Sequence, residues 1–157
     1  IPASLILINA NICRTIINMK LNSTLDSIAK PFSALAPWIL RLSLGVAFFL
    51  HGYSKFPLPP EKMVGWFESI GIPAPELVSS MVAIGEVSAG IGIIIGGLLG
   101  SSLGHLVTRI SGGTVVVIMG GAFFIAHSDW FITAKLFTSE QIFLFALGMY
   151  FAIKGND

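Results

Sequence analysis

Apolar residues run along this chain in long continuous stretches. The first is Phe32 to Leu50, broken by Arg41, and the second is Leu77 to Leu99, broken by Glu86. The third is Leu106 to Ala126, with Arg109 near its start, and the fourth is Gln141 to Ile153. A helix needs about 20 mostly apolar residues to cross the hydrocarbon of a bilayer, and the first three stretches have them. The fourth, at 13 residues, would reach about 20 Å, short of a core about 30 Å thick. It still counts as a span, because Thr138 to Gln141 reads as a capping box and Lys154 can snorkel to the interface. Continuous runs do not fit the alternating strands of an outer-membrane barrel. The predicted fold is an all-α membrane protein, an antiparallel bundle of four transmembrane helices with short links.

The links carry their own patterns. The first outer loop, from about Tyr53 to Pro75, holds Pro57, Pro59 and Pro60 and later Gly71-Ile72-Pro73-Ala74-Pro75. Between them Met63, Trp66, Phe67 and Ile70 recur at helical spacing. They predict a short amphipathic helix over Glu61 to Ile70, with Pro60 in its first turn, lying in the outer interface at a depth that suits Trp66. Its simplest role is a lid over the bundle; docking a partner or covering a ligand is the alternative. Gly100 to His105 should be a tight inner turn, and His127 to Ser139 an interfacial link holding Asp129, Trp130 and Lys135.

Residues 1–30 read as an N-terminal tail, and 31–157 as one membrane domain. Met19-Lys20-Leu21-Asn22 looks like an ordinary bacterial start, so residues 1–18 are expected to be upstream translation or a poorly fixed tail. A short interfacial helix is the alternative there. With the N-terminus inside, Arg14, Lys20, Lys30, Arg109 and Lys154 fall on the inner side and Lys55, Lys62 and Lys135 on the outer side. That excess favours cytoplasmic N- and C-termini.

Composition agrees with this class. The 157 residues are 54% hydrophobic and 11% charged, with mean hydropathy +0.86, whereas soluble domains carry about 25% charged residues. Such a chain could not cover a globular surface with polar groups, which argues against a cytosolic enzyme, a disordered protein or a nucleic-acid binder. The single Cys13 excludes a disulfide framework or a Cys-cluster metal site. A net charge of +1 names no partner.

Charges inside apolar spans carry the chemistry. Placing Arg41 or Glu86 at a helix centre costs about 2.5–3.5 kcal/mol on insertion scales, so each should turn from lipid and find a partner. Their helices are consecutive, and the sequence predicts that Arg41 and Glu86 form a buried ion pair or share a polar cavity. Such a pair can serve only to fix helix register; alternatively, Glu86 is a proton-accepting or ligand-binding carboxylate beside a fixed cation. His51 and His127 each close a span near the outer face, with Lys55 one turn beyond His51. With or without Glu76, they could cluster at the outer mouth of the bundle, either as plain interfacial side chains or as hydrogen-bonding groups for a quinone-like head group or a partner. Two histidines do not make a closed metal site, so no metal is expected. His105, in the inner turn, should be merely solvated. Ser88, Gly92, Gly96, Gly100 and Gly104 recur every four residues, a face that lets another backbone approach. Gly112, Gly113, Gly120 and Gly121 suggest a similar one, and Phe143, Phe145, Tyr150 and Phe151 read as lipid-facing or interhelical filler.

In order and spacing, these residues resemble the DoxX/DoxD-like family of small four-helix bacterial membrane proteins. The likeness starts at Arg41-Leu42-Ser43-Leu44-Gly45 and passes through Phe49-Leu50-His51-Gly52-Tyr53-Ser54-Lys55-Phe56, similar to the family's His-Gly-x-x-Lys signature. It continues through Gly71 to Pro75, Gly85-Glu86 with the glycine-rich run to Gly97, His127 and Glu140. The resemblance implies a multi-pass protein of the bacterial plasma membrane linked to respiratory or sulfur redox chemistry. A related protein is the small subunit of a thiosulfate:quinone oxidoreductase. It implies Glu86 and His51 as catalytic, proton-exchanging groups, Arg41, Lys55 and His127 as substrate-binding groups, and quinone rather than any covalently bound cofactor. A redox protein would be the partner, and the glycine faces would allow a homo-oligomer. Whether the chain is itself an enzyme subunit stays open beside two alternatives, a non-catalytic membrane anchor or assembly protein and a small-solute binding or transport protein.

Overall fold

The structure, a computed structural model, describes residues 19–157, and the expectations for residues 1–18 lie outside them. Residues 19–29 are helical and lead into a 3-10 turn at Lys30–Phe32. They belong to a first compact unit ending at Pro37; the second unit is Trp38–Asp157. The chain then forms α1 (Leu35–Tyr53), α2 (Glu61–Ser69), α3 (Pro75–Leu98), α4 (Ser102–Gly121) and α5 (Glu140–Lys154). There is no strand among the described residues. Among the described residues, three helical segments are long and apolar enough to cross a membrane: Leu35–Tyr53, Pro75–Leu98, and Ser102–Ala126, which is α4 with its continuation.

Small residues set the packing order. The site of a Cβ on Gly45 lies 2.8 Å from the Gly90 carbonyl, and that on Gly52 lies 2.7 Å from the Ala83 carbonyl. Hence α1 and α3 run antiparallel in near-backbone contact. Gly92 and Gly96 receive Ser111 and Thr108 of α4 in the same way, and Gly112 receives α5 at Gly148 and Ala152. Leu44, Phe48, Ala89, Ile93, Val115, Met119, Phe123, Leu144 and Phe151 fill the core between these helices. Of the second glycine set, only Gly112 packs this way; Gly113, Gly120 and Gly121 have nothing within 4 Å of a Cβ position. The four-residue repeat also leaves its helix, since α3 ends at Leu98 and Gly100 turns the chain at φ +51°.

A paired substitution tests this packing. A methyl group at Gly112 would meet the Ala152 amide nitrogen at 2.5 Å and the Gly148 carbonyl at 2.8 Å, and neither is a flexible side-chain end. Gly112→Ala should cost about 1–3 kcal/mol by overpacking. Gly113→Ala, with open space beside it, should be neutral or gain up to ~1 kcal/mol of helix propensity. Unfolding in mixed micelles compares the two.

Several element ends differ from expectation. The tight turn after α3 is shorter than Gly100 to His105, because Ser101 caps α4 by accepting the Gly104 N–H at 3.4 Å. The capping box at Thr138 does not form. Thr138 belongs to a short helical turn, Lys135–Thr138, and its hydroxyl donates back to the Lys135 carbonyl, a local bond that competes with capping. Ser139 becomes the N-cap of α5, with no side-chain cap bond. Pro60 is likewise the N-cap of α2 rather than a first-turn residue. Beyond α4, one π-helical turn at Ala122–Ala126 ends with the His127 N–H donating to the Ala122 carbonyl at 2.9 Å.

Candidate functional site

The polar side chains sort to opposite ends of α1, α3, α4 and α5. At the end beside α2 lies a pocket of about 320 Å³. Its floor and walls come from Val78, Val82 and Glu86 of α3 and from Val117, Ile118, Gly121 and Ile125 of α4 and its continuation. Met63, Trp66, Phe67 and Ile70 of the α2 segment line it too, so the face predicted from their spacing does cover a cavity. His51, Lys55, His127 and Gln141 complete the lining.

Glu86 is 3% exposed and pairs with the Lys55 ammonium. Two local features allow this. Gly52 has no side chain, and a Cβ there would lie 2.8 Å from the Glu86 Cβ, so α1 comes close at this level. After Tyr53 the backbone coils on, with the Lys55 N–H donating to the Gly52 carbonyl at 3.1 Å. The Lys55 ammonium also donates to the His51 carbonyl at 3.3 Å. The His51 imidazole Nε2 lies 3.2 Å from Glu140 Oε1 at the start of α5. His127 stacks on Trp130 with ring centres 4.1 Å apart and planes 11° from parallel, and faces Trp66 at 6.0 Å. π-Helical turns often mark functional sites, and here one delivers His127 to the pocket wall. Glu76 does not line the pocket.

Arg41 and Glu86 do not form the expected pair. The α1–α3 register explains why. Gly45 faces Gly90 and Gly52 faces Ala83, so the antiparallel pairing sets Arg41 opposite Ile94, eight residues from Glu86 along α3, which is about 12 Å of helix rise. Arg41 instead gathers the other end of the molecule. Its Nη1 donates to the Ile93 carbonyl at 2.9 Å and the Thr108 hydroxyl at 3.1 Å. Its Nη2 donates to the Gly155 carbonyl at 3.1 Å and to Asn156 Oδ1 at 2.7 Å. The guanidinium sits 4.7 Å over the Phe151 ring, so Phe151 is more than filler.

Asn156 completes this second cluster. Its Oδ1 accepts from the Thr108 hydroxyl at 2.7 Å, and its Nδ2 donates to the Gly96 carbonyl at 2.9 Å. His105 is not merely solvated: its Nδ1 accepts the Asn156 N–H at 3.3 Å, and its ring covers Gly155. Of the predicted site residues, His51, Lys55, Glu86 and His127 therefore come together at the pocket, and Arg41 does not. Thr108, Trp130, Gln141 and Asn156 were missed. Thr108 had a readable signal, a hydroxyl among apolar residues three before Ser111 on the same face. Asn156, beyond the last apolar run, had none. Among the described residues no three His, Cys, Asp or Glu side chains gather as a metal site would require.

The DoxX family model matches residues 36–128, more than half of the chain. The matched part contains Arg41, His51, Lys55, Glu86 and His127 and stops before α5. No curated protein matches the chain, and no solved structure matches it. The extent of the family match, together with three helices able to cross a bilayer, shows that the chain belongs to the DoxX family and is a small multi-pass integral membrane protein.

Proposed function

We propose that this chain is the membrane subunit of a quinone-linked oxidoreductase in respiratory or sulfur redox chemistry, with the redox centre on a partner protein. The observation that carries this reading is the pair of buried Glu86 and half-buried Lys55 on the wall of a mostly apolar pocket. An apolar cavity with a few convergent polar groups is the usual form of a small-molecule site, and intramembrane ionisable groups tend to be functional. A quinone supplies a reducible ring soluble in the bilayer. On this side, Lys55 is the donor able to hold a carbonyl oxygen. Glu86 holds Lys55 in place, and Glu86 and His51 are the wall groups able to keep or release a proton. Trp66 and the His127–Trp130 stack offer flat faces to a ring. Arg41, committed to Asn156 at the far end, fastens the helices there.

In this reading α1, α3, α4 and the shorter α5 form a four-span antiparallel bundle in the bacterial plasma membrane. Both termini are cytoplasmic, and α2 lies in the outer interface. A non-catalytic anchor or assembly role is the second reading, favoured by Gly113 and Gly120, which present small residues with nothing packed on them.

Gly121 provides the test. It lines the pocket, and nothing lies within 4 Å of its Cβ position, so Gly121→Phe fills the cavity while leaving the packing intact. Quinone binding to the chain in nanodiscs should weaken about tenfold or more, with unfolding stability unchanged. Unaltered binding in the variant would place the ligand elsewhere, and no binding to the wild type would remove the quinone reading.

A further inference from the structure

We propose that the pocket is filled sideways from the bilayer, and that its ligand is a membrane-dissolved amphiphile with a compact polar ring inside the pocket and an apolar tail left outside. This rests on the pocket reading above and adds the route and the shape of the ligand.

The openings of the pocket carry the inference. Val117, Gly121 and Ile125 are spaced four residues apart, so they form one line along α4 and its π-helical continuation. All three line the pocket. Yet Val117 is 74% and Ile125 59% exposed, so the same residues also face outward. Between them Gly121 has no side chain and open space beside it. This wall is a window framed only by apolar groups, on a helix long enough to span the membrane.

The other sides carry side chains across them, and only toward Lys55, Met63 and Trp66 does the cavity share its lining with a second groove, beside Pro57 to Pro60. The α2 segment roofs the pocket with Phe67, which is 8% exposed, and with Trp66 beside it. The His51–Glu140 contact and the His127–Trp130 stack close the edge toward α5. Helix packing explains why the gap lies where it does. Near Gly96 and Gly104, α3 and α4 are in backbone contact. The last glycine of α3 toward α2, Gly85, meets Ile118 of α4; beyond it Val78 and Val82 of α3 and Gly121 and Ile125 of α4 and its continuation line the cavity.

Size decides the shape of the ligand. About 320 Å³ is at the small end of ligand pockets, which run from about 300 to 1,000 Å³. It holds a ring and little more. Lys55 and Glu86 supply polar partners at the buried side, whereas the window offers none, so the polar head goes in and the apolar tail stays in the hydrocarbon.

The test compares a quinone bearing a decyl tail with the same ring lacking it. Binding to the full chain in nanodiscs is measured for each against the free ligand concentration in water, so that a tail held in the hydrocarbon adds to the affinity. The tailed ligand should bind about tenfold tighter or more. Val117→Trp, which lays an indole across the window, should abolish that advantage and bring the two affinities together. Ile110→Trp, on the exposed face of the same helix away from the pocket, should leave both affinities unchanged. Equal binding of the two ligands, or an advantage that survives Val117→Trp, overturns sideways access while the pocket reading stands. Absence of binding by either ligand to the wild type overturns the pocket reading and this proposal with it.

Discussion

Lys55→Met should destabilise the fold by about 3–5 kcal/mol, the range for leaving a buried charge without its partner. The substitution keeps the length and apolar stem of the side chain and deletes the ammonium. Glu86 is then left almost completely buried among Val78, Val82 and the α2 side chains, with no cation beside it. Glu86→Gln added to Lys55→Met should restore most of the loss, because the neutral amide needs no counter-charge and keeps the carboxyl shape. Reversible unfolding in mixed micelles reads both. A loss below about 1 kcal/mol for Lys55→Met, the scale of an exposed pair, would show that the pair is solvated and that the pocket is wet.

Arg41→Met should cost about 2–3 kcal/mol, about the weight of a single charge-assisted hydrogen bond. The loss stays below the sum over the four acceptors for a structural reason. Asn156 keeps its bonds to Thr108 and Gly96, and the Ile93 carbonyl lies within α3. The visible consequence is local: the Gly155 and Asn156 amides should exchange with deuterium faster than in the wild type, while amides around Glu86 keep their protection. Arg41→Lys should restore little. A point-charge ammonium cannot reach Ile93, Thr108, Gly155 and Asn156 together as the planar fork does. Uniform protection in Arg41→Met would show that the Gly155–Asn156 segment is held by other contacts.

Sequence patterning was informative where one physical term dominates. Long apolar runs gave α1, α3 and α4 nearly to their ends. The Met63, Trp66, Phe67, Ile70 spacing located α2 and its pocket-facing side. Insertion cost identified Arg41 and Glu86 as groups that must turn from lipid, and both are buried. Their partners were not legible, because partner choice depends on register. The register of α1 on α3, set by Gly45 against Gly90, decides whether Arg41 or Lys55 reaches Glu86. Lys55 was legible as a neighbour of His51 and His127 at the outer mouth, but its pairing with Glu86 depends on the coil of backbone after Tyr53. Asn156 was invisible for a related reason. A carboxamide outside every apolar run has no pattern, and its role comes from the place where α5 ends against Gly96 and Thr108.

The separation of charges at opposite ends of the helices is tested most directly by two double-mutant cycles in one mixed-micelle assay. One cycle combines Lys55→Met with Glu86→Gln, and the other combines Arg41→Met with Glu86→Gln. The expected result is a coupling energy of about 1–3 kcal/mol for Lys55 with Glu86, as for residues in contact, and additivity within about 0.5 kcal/mol for Arg41 with Glu86, as for distant sites. A large Arg41–Glu86 coupling with none between Lys55 and Glu86 would contradict the register of α1 on α3 and the pocket built on it.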